Sequence, residues 1–80
     1  MYYIYILQLQ DETYYHGFSD DLKKRLVNHK HGLVESTKNL RPVKLIFYAA
    51  FSKKNKAIAF EKYLKSSSGF AFRNKRLIER

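Results

Sequence analysis

Eighty residues suffice for one domain with a modest core, and the absence of cysteine excludes a disulfide or thiolate–metal staple, so packing must hold the fold. Lys and Arg total 16 against 7 Asp and Glu, and the resulting net charge of +9 creates a field suited to a polyanion. The N-terminus has no basic leader, its apolar run is broken by Gln8 and Gln10, and no long basic amphipathic helix is visible, so membrane is excluded as a partner and a cytoplasmic, nucleic-acid-binding protein is expected.

Residues Tyr2 to Leu9 are almost all large and apolar or aromatic, the pattern of a strand covered on both faces. Gln10, Asp11 and Glu12 make a polar break, and Thr13 to Phe18 reads as a second aromatic strand, so the pair forms a β-hairpin. Ser19 is the expected cap of a first helix from Asp20 to His31, which Gly32 ends. Leu33 to Arg41 reads as a loop, and Pro42 opens a third strand from Val43 to Phe51. After Ser52 a second helix spans Lys54 to Lys65, with Ala57, Phe60 and Leu64 as its apolar stripe. The serines at 66–68 and Gly69 break it, and a final helix from Phe70 to Ile78 is anchored by Phe72, Leu77 and Ile78. The order β-β-α-β-α-α makes residues 1–80 one α+β domain, a small three-stranded antiparallel sheet flanked by helices.

Three features go beyond a generic fold. With Leu22 at zero and ~100° per residue, Leu26 falls near +40°, His29 near −20° and Arg25 near −60°, so a cation and an imidazole share or border the apolar face. Arginine laying its stem on that face would explain Arg25 without function. If the hairpin turn centres on Asp11, strand parity puts Tyr15 and Gly17 on the same face as Tyr5, and Gly17 leaves a gap there for a phosphate or a backbone. Glu61 lies ~40° from Ala57 and ~60° from Leu64, at the edge of the second helix's stripe. One carboxylate there would anchor a hard divalent cation; the plainer reading is an ion pair with Lys65, four residues on.

In order along the chain stand Tyr3-Ile4-Tyr5-Ile6-Leu7, Tyr15-His16-Gly17, Asp21 to His29, Arg41-Pro42-Val43-Lys44-Leu45 and Glu61 to Lys65. These follow Y-x-Y-x-L, Y-x-G, D-L-x-x-R-x-x-x-H, R-P-x-x-L and E-x-x-L-K, and the ordered set resembles the GIY-YIG nuclease superfamily, in particular its small standalone bacterial members. The resemblance implies a three-stranded sheet flanked by helices and a metal-dependent endonuclease that hydrolyses DNA phosphodiester bonds. The corresponding catalytic positions are Tyr5, Tyr15, Arg25, His29 and Glu61, with Glu61 the ligand of Mg²⁺ or Mn²⁺. One tyrosine would activate water, its pKa lowered by metal and Arg25, and the sequence does not choose between the two. Arg25 would clamp the phosphate, and His29 would hold a tyrosine or pass a proton. Lys23, Lys24, Lys30, Arg41, Lys65, Arg73 and Asn74 are the expected contacts to single- or double-stranded DNA. The pattern departs at Tyr3, where the first motif's name has glycine, at His16 and at Phe70. A non-catalytic nucleic-acid-binding module that keeps the fold is the alternative.

The charge generates a direct expectation. DNA affinity should fall steeply and log-linearly with salt and depend little on sequence, because phosphate neutralisation releases counterions. Fluorescence-anisotropy titrations at low and physiological salt check this, and a flat salt response contradicts it.

Overall fold

A computed structural model describes residues 1–78. Three strands, β1 (Tyr2–Gln8), β2 (Tyr14–Ser19) and β3 (Lys44–Phe51), form an antiparallel sheet in the order β2-β1-β3. Helix α1 (Leu22–Lys30) follows the hairpin, and α2 (Lys54–Leu64) and α3 (Ser67–Phe72) follow β3. A 3-10 turn at Lys38–Leu40 interrupts the long loop, and a π-helical turn at Arg73–Leu77 continues α3.

The central strand explains the aromatic, non-alternating start of the chain. Ile4 and Ile6 are buried on one face with Ala57 and Leu64, and Tyr2, Tyr14, Phe18, Phe47, Phe51 and Phe60 pack around them. Tyr5, Leu7 and Leu9 are buried on the other face with Leu22 and Leu26 of α1. Each face thus has its own apolar cluster and its own helices, as expected for a strand without a solvent side. Between β1 and β3 the register slips after Ile6, where Phe47 is opposite Ile6 but Leu45 is opposite Leu7. This bulge turns Ile46 and Phe47 both toward the Ile4 cluster.

The hairpin turn centres on Asp11, as the sequence predicts. Tyr5 pairs with Gly17 and Leu7 with Tyr15. Asp11 accepts from the Thr13 backbone at 3.1 Å and from its hydroxyl at 2.5 Å, and Glu12 takes the positive φ of 68° that closes the loop.

Helix boundaries depart from the sequence reading. Asp21, not Ser19, caps α1, accepting from the Lys24 backbone at 3.1 Å. Ser19 instead ends β2 and accepts from the Asp21 N–H at 2.9 Å, so Asp20 and Asp21 both lie outside the helix. Gly32 follows α1 with φ 74°, the left-handed end that glycine tolerates. The serine tract starts a helix as well as breaking one. Ser66 donates to the Tyr63 carbonyl at 2.6 Å, accepts from the Gly69 N–H at 3.1 Å and caps α3. Ile78 and Leu77 pack inward as expected, but Phe72 is 37% exposed, its ring tilted against that of Tyr63. Among the described residues no helix is long and apolar enough to cross a membrane.

Gly69 permits the α2–α3 corner. A Cβ there would lie 2.8 Å from the Leu64 Cα and would overlap the Tyr63 carbonyl outright. Neither group is a flexible tip that can swing away. Gly69→Ala should therefore destabilise the fold by about 2–3 kcal/mol, which in a domain of this size lowers Tm by on the order of 10 °C or more. A thermal melt that matches the parent protein would show that the corner has slack.

Candidate active site

Tyr5 has no exposed surface, and its position follows from its strand partner. A Cβ on Gly17 would stand 2.2 Å from the Tyr5 Cζ and 2.3 Å from its Oη. The ring therefore lies across Gly17, toward the outer strand. The gap expected there for a phosphate or a backbone is filled by this ring instead.

At the end of the ring the tyrosine oxygen meets α1. It lies 2.8 Å from Nε2 of His29 and accepts from Nε of Arg25 at 3.3 Å. The other imidazole nitrogen, Nδ1, lies 2.8 Å from the Thr37 hydroxyl. His29 and Thr37 are both completely buried. The Tyr15 ring closes the group, 6.3 Å from Tyr5 and 5.3 Å from His29 between centroids. Tyr15 and Arg25 are half-buried and lie on the outer side of the cluster. Four of the five predicted catalytic side chains thus form one contiguous group, and the helical offset of Arg25 and His29 has a reason beyond snorkelling.

Glu61, the fifth, stands apart. Its side chain is 22% exposed and pairs with Lys65 at 3.5 Å, as the plainer reading expects. Its charge still reaches Tyr5, where it helps to hold the phenol neutral. Among the described residues no three or more His, Cys, Asp or Glu side chains gather to cage a metal. A lone carboxylate suits at most a hard ion that fills the rest of its shell with water and phosphate oxygens.

Electrostatics modify one expectation. Burial pushes the Tyr5 pKa up, and the Arg25 hydrogen bond pulls it down by less, while Tyr15 and Glu61 add to the rise. In the protein alone, Arg25 does not make Tyr5 more acidic than a free tyrosine. Arg25 is itself held charged, first by its bond to Tyr5. His29 is shifted down by burial and then by the charge of Arg25, so it is neutral at physiological pH.

The expected nucleic-acid contacts divide. Lys23, Lys24 and Lys30 are exposed on α1, and Lys65 is exposed beside Glu61. Arg41 is exposed but also staples the loop, donating to the Lys38 carbonyl at 2.9 Å and the Lys30 carbonyl at 3.3 Å. Arg73 is not on the surface. It is 4% exposed, donates to Asn74 Oδ1 at 3.2 and 2.9 Å, and lies over the Tyr14 and Phe70 rings. It also bonds His16 at 3.2 Å, and burial followed by the charges of Arg73 and Lys65 depresses that imidazole's pKa. His16 points away from Tyr5, as strand parity requires. Arg73 and half-buried Asn74 thus serve the interior of the opposite face.

Thr37 was not among the predicted site residues. It lies in the loop after α1, where no periodicity marks an inward side chain.

The GIY-YIG catalytic domain family matches residues 1–76. The chain belongs to that family. GIY-YIG domains form a nuclease superfamily, and the motif positions of the resemblance fall within the matched span. The UPF0213 protein CPE1444 of Clostridium perfringens is 38% identical over 66 residues, 81% of this chain and 71% of that protein. The UPF0213 protein YsiG of Lactococcus lactis is 43% identical over 65 residues, 80% of this chain but 62% of its own length. The solution NMR structure of the UPF0213 protein BH0048 from Bacillus halodurans superposes with a TM-score of 0.59 at 27% identity, over 96% of this chain and 87% of that one.

The two depressed imidazoles set a pH dependence. As pH falls, the unfolded chain takes up their protons near the ordinary value of 6.5 and the folded chain only lower. The stability they contribute is present above about 6.5 and is lost as pH drops from there through their folded values. Tm should hold steady above neutrality and decline below about pH 6.5. Melts across that range check it, and a Tm that rises on acidification would reverse the assignment.

Proposed function

We propose that this chain is a divalent-metal-dependent endonuclease that hydrolyses DNA phosphodiester bonds. The observation that carries the reading is the single cluster of Tyr5, Tyr15, Arg25 and His29, within a GIY-YIG domain and on a strongly basic body. Arg25 gives Nε to Tyr5 and interacts with Tyr15, and its half-buried guanidinium is the group to take a phosphate and offset charge in the transition state. Exposed Lys23, Lys24 and Lys30 extend the positive surface along the same helix.

Water attacks phosphorus, the new P–O bond forms, the P–O bond to the departing sugar oxygen breaks, and a tyrosinate takes the proton from water. Burial separates the two tyrosines. Tyr15 is half-buried and is the one to act on water, and Tyr5, with no exposed surface, holds Arg25 in place. Glu61 would hold Mg²⁺ or Mn²⁺, which would supply Lewis-acid charge stabilisation to the reaction.

The Glu61–Lys65 ion pair favours a second reading, a DNA-binding module in which Glu61 is structural. Single-turnover cleavage of a panel of labelled DNA structures with Mg²⁺ or Mn²⁺ separates the two. The nuclease reading expects Glu61→Ala to lose cleavage by ~100-fold or more while Tm and DNA affinity stay near the parent values. A variant that melts lower but still cleaves when folded, or a parent protein that binds and never cleaves, favours the second reading.

A further inference from the structure

The buried chain Thr37–His29–Tyr5 has one hydrogen too many. Thr37 carries a hydroxyl hydrogen, a neutral His29 carries one ring hydrogen, and Tyr5 carries a third. Two bonds join these groups, Thr37 Oγ to Nδ1 and Nε2 to the Tyr5 oxygen, each 2.8 Å long. Two hydrogens fill them, so the third must point elsewhere, from one end of the chain or the other. The depressed pKa of His29 keeps the count at three near neutral pH, because the ring then holds a single proton.

The two ends are not equivalent. Thr37 is completely buried, and among the described residues its hydroxyl has no partner but His29. A hydrogen pointed away from His29 there would be an unpaired donor in the interior, which is costly. At the other end Tyr5 is equally without exposed surface, but its oxygen has polar neighbours: it lies beside half-buried Arg25 and Tyr15 and feels the Glu61 carboxylate. A hydrogen turned outward there faces those groups and any acceptor brought against them.

We propose that Thr37 is a positioning residue of this site: its hydroxyl donates to Nδ1 of His29, which places the ring proton on Nε2 and makes His29 a hydrogen-bond donor to Tyr5. His29 is then not the base that receives the Tyr5 proton. The Tyr5 oxygen accepts from two donors, Nε2–H of His29 and Nε–H of Arg25, and its own hydrogen is free to pass outward.

Thr37 is held for this task by the loop backbone. Its N–H donates to the Val34 carbonyl at 3.1 Å and its carbonyl accepts from Leu40 at 3.0 Å, while Val34 is buried beneath the turn. The loop that Arg41 staples to the end of α1 is thereby part of the site.

Nitrogen-15 NMR of histidine-labelled protein without DNA reads the tautomer directly. The proton should sit on Nε2 of His29 at neutral pH, and a proton on Nδ1 overturns the proposal. Thr37→Val keeps the shape and removes the hydroxyl. It should erase the Nε2–H preference and slow single-turnover cleavage by ~10- to 100-fold with DNA affinity unchanged, the usual scale for losing the group that orients a site histidine. Thr37→Ser should restore both, and an unchanged tautomer in the valine variant overturns the proposal. The kinetic arm rests on the nuclease reading. The tautomer arm does not, so a parent protein that cleaves nothing sinks that reading while the NMR result still decides on Thr37.

Discussion

The placement of the Tyr5 ring across Gly17 is the constraint on which the rest of the molecule depends. The ring has to cross the outer strand to bring its oxygen to α1, and any side chain at position 17 would occupy its path. The register that sets Gly17 opposite Tyr5 comes from a turn centred on Asp11, closed by Thr13 and by Glu12 in its left-handed conformation. A slip of one residue would bring His16 or Phe18 opposite Tyr5, exchange the two faces of β2 and take Tyr15 away from His29. Turn chemistry, strand pairing and the site geometry are thus three expressions of one register.

The two faces of the sheet handle a buried or half-buried arginine in the same way and to different ends. Arg25 and Arg73 each have neutral partners: tyrosine hydroxyls in one case, an amide, an imidazole and aromatic faces in the other. Neutral partners satisfy donors without cancelling charge. Each cation then adds to the depression that burial imposes on a nearby imidazole, Arg25 on His29 and Arg73 on His16. The difference is access. Arg25 is half-exposed and can spend its charge on a ligand, whereas Arg73 spends its own in joining the π-helical turn to β2.

Much of this was legible in the sequence, and the limits have physical causes. The sheet was readable because a strand buried on both faces needs unbroken apolar and aromatic residues, and Tyr2 to Leu9 has little else. The cluster of Tyr5, Tyr15, Arg25 and His29 was readable from strand parity and helical offset, two periodicities that sequence carries. The cap of α1 was not, because Ser19, Asp20 and Asp21 are all good caps and the length of β2 decides among them. The serine tract was misread because a residue that ends one helix can cap the next. Arg73 was misplaced because composition reports charge and not burial. Thr37 was missed because a loop residue turned inward leaves no periodic trace.

A domain of 80 residues cannot keep its site separate from its core. Tyr5 packs with Leu7, Leu9, Leu22 and Leu26, so the oxygen that holds Arg25 belongs to a side chain that also holds α1 on the sheet. Thr37, His29 and Tyr5 carry polar atoms into that apolar cluster, and the desolvation this costs is offset only while each atom keeps its partner. Truncating any of the three would open a cavity and orphan a neighbour together, so loss of activity in such a variant says little about chemistry. Substitutions that keep shape and remove one donor or acceptor are the ones that separate folding from function. The same coupling gives the cluster its rigidity, since a network paired throughout on its buried side is free to respond only at its outer edge, where Arg25 and Tyr15 meet solvent.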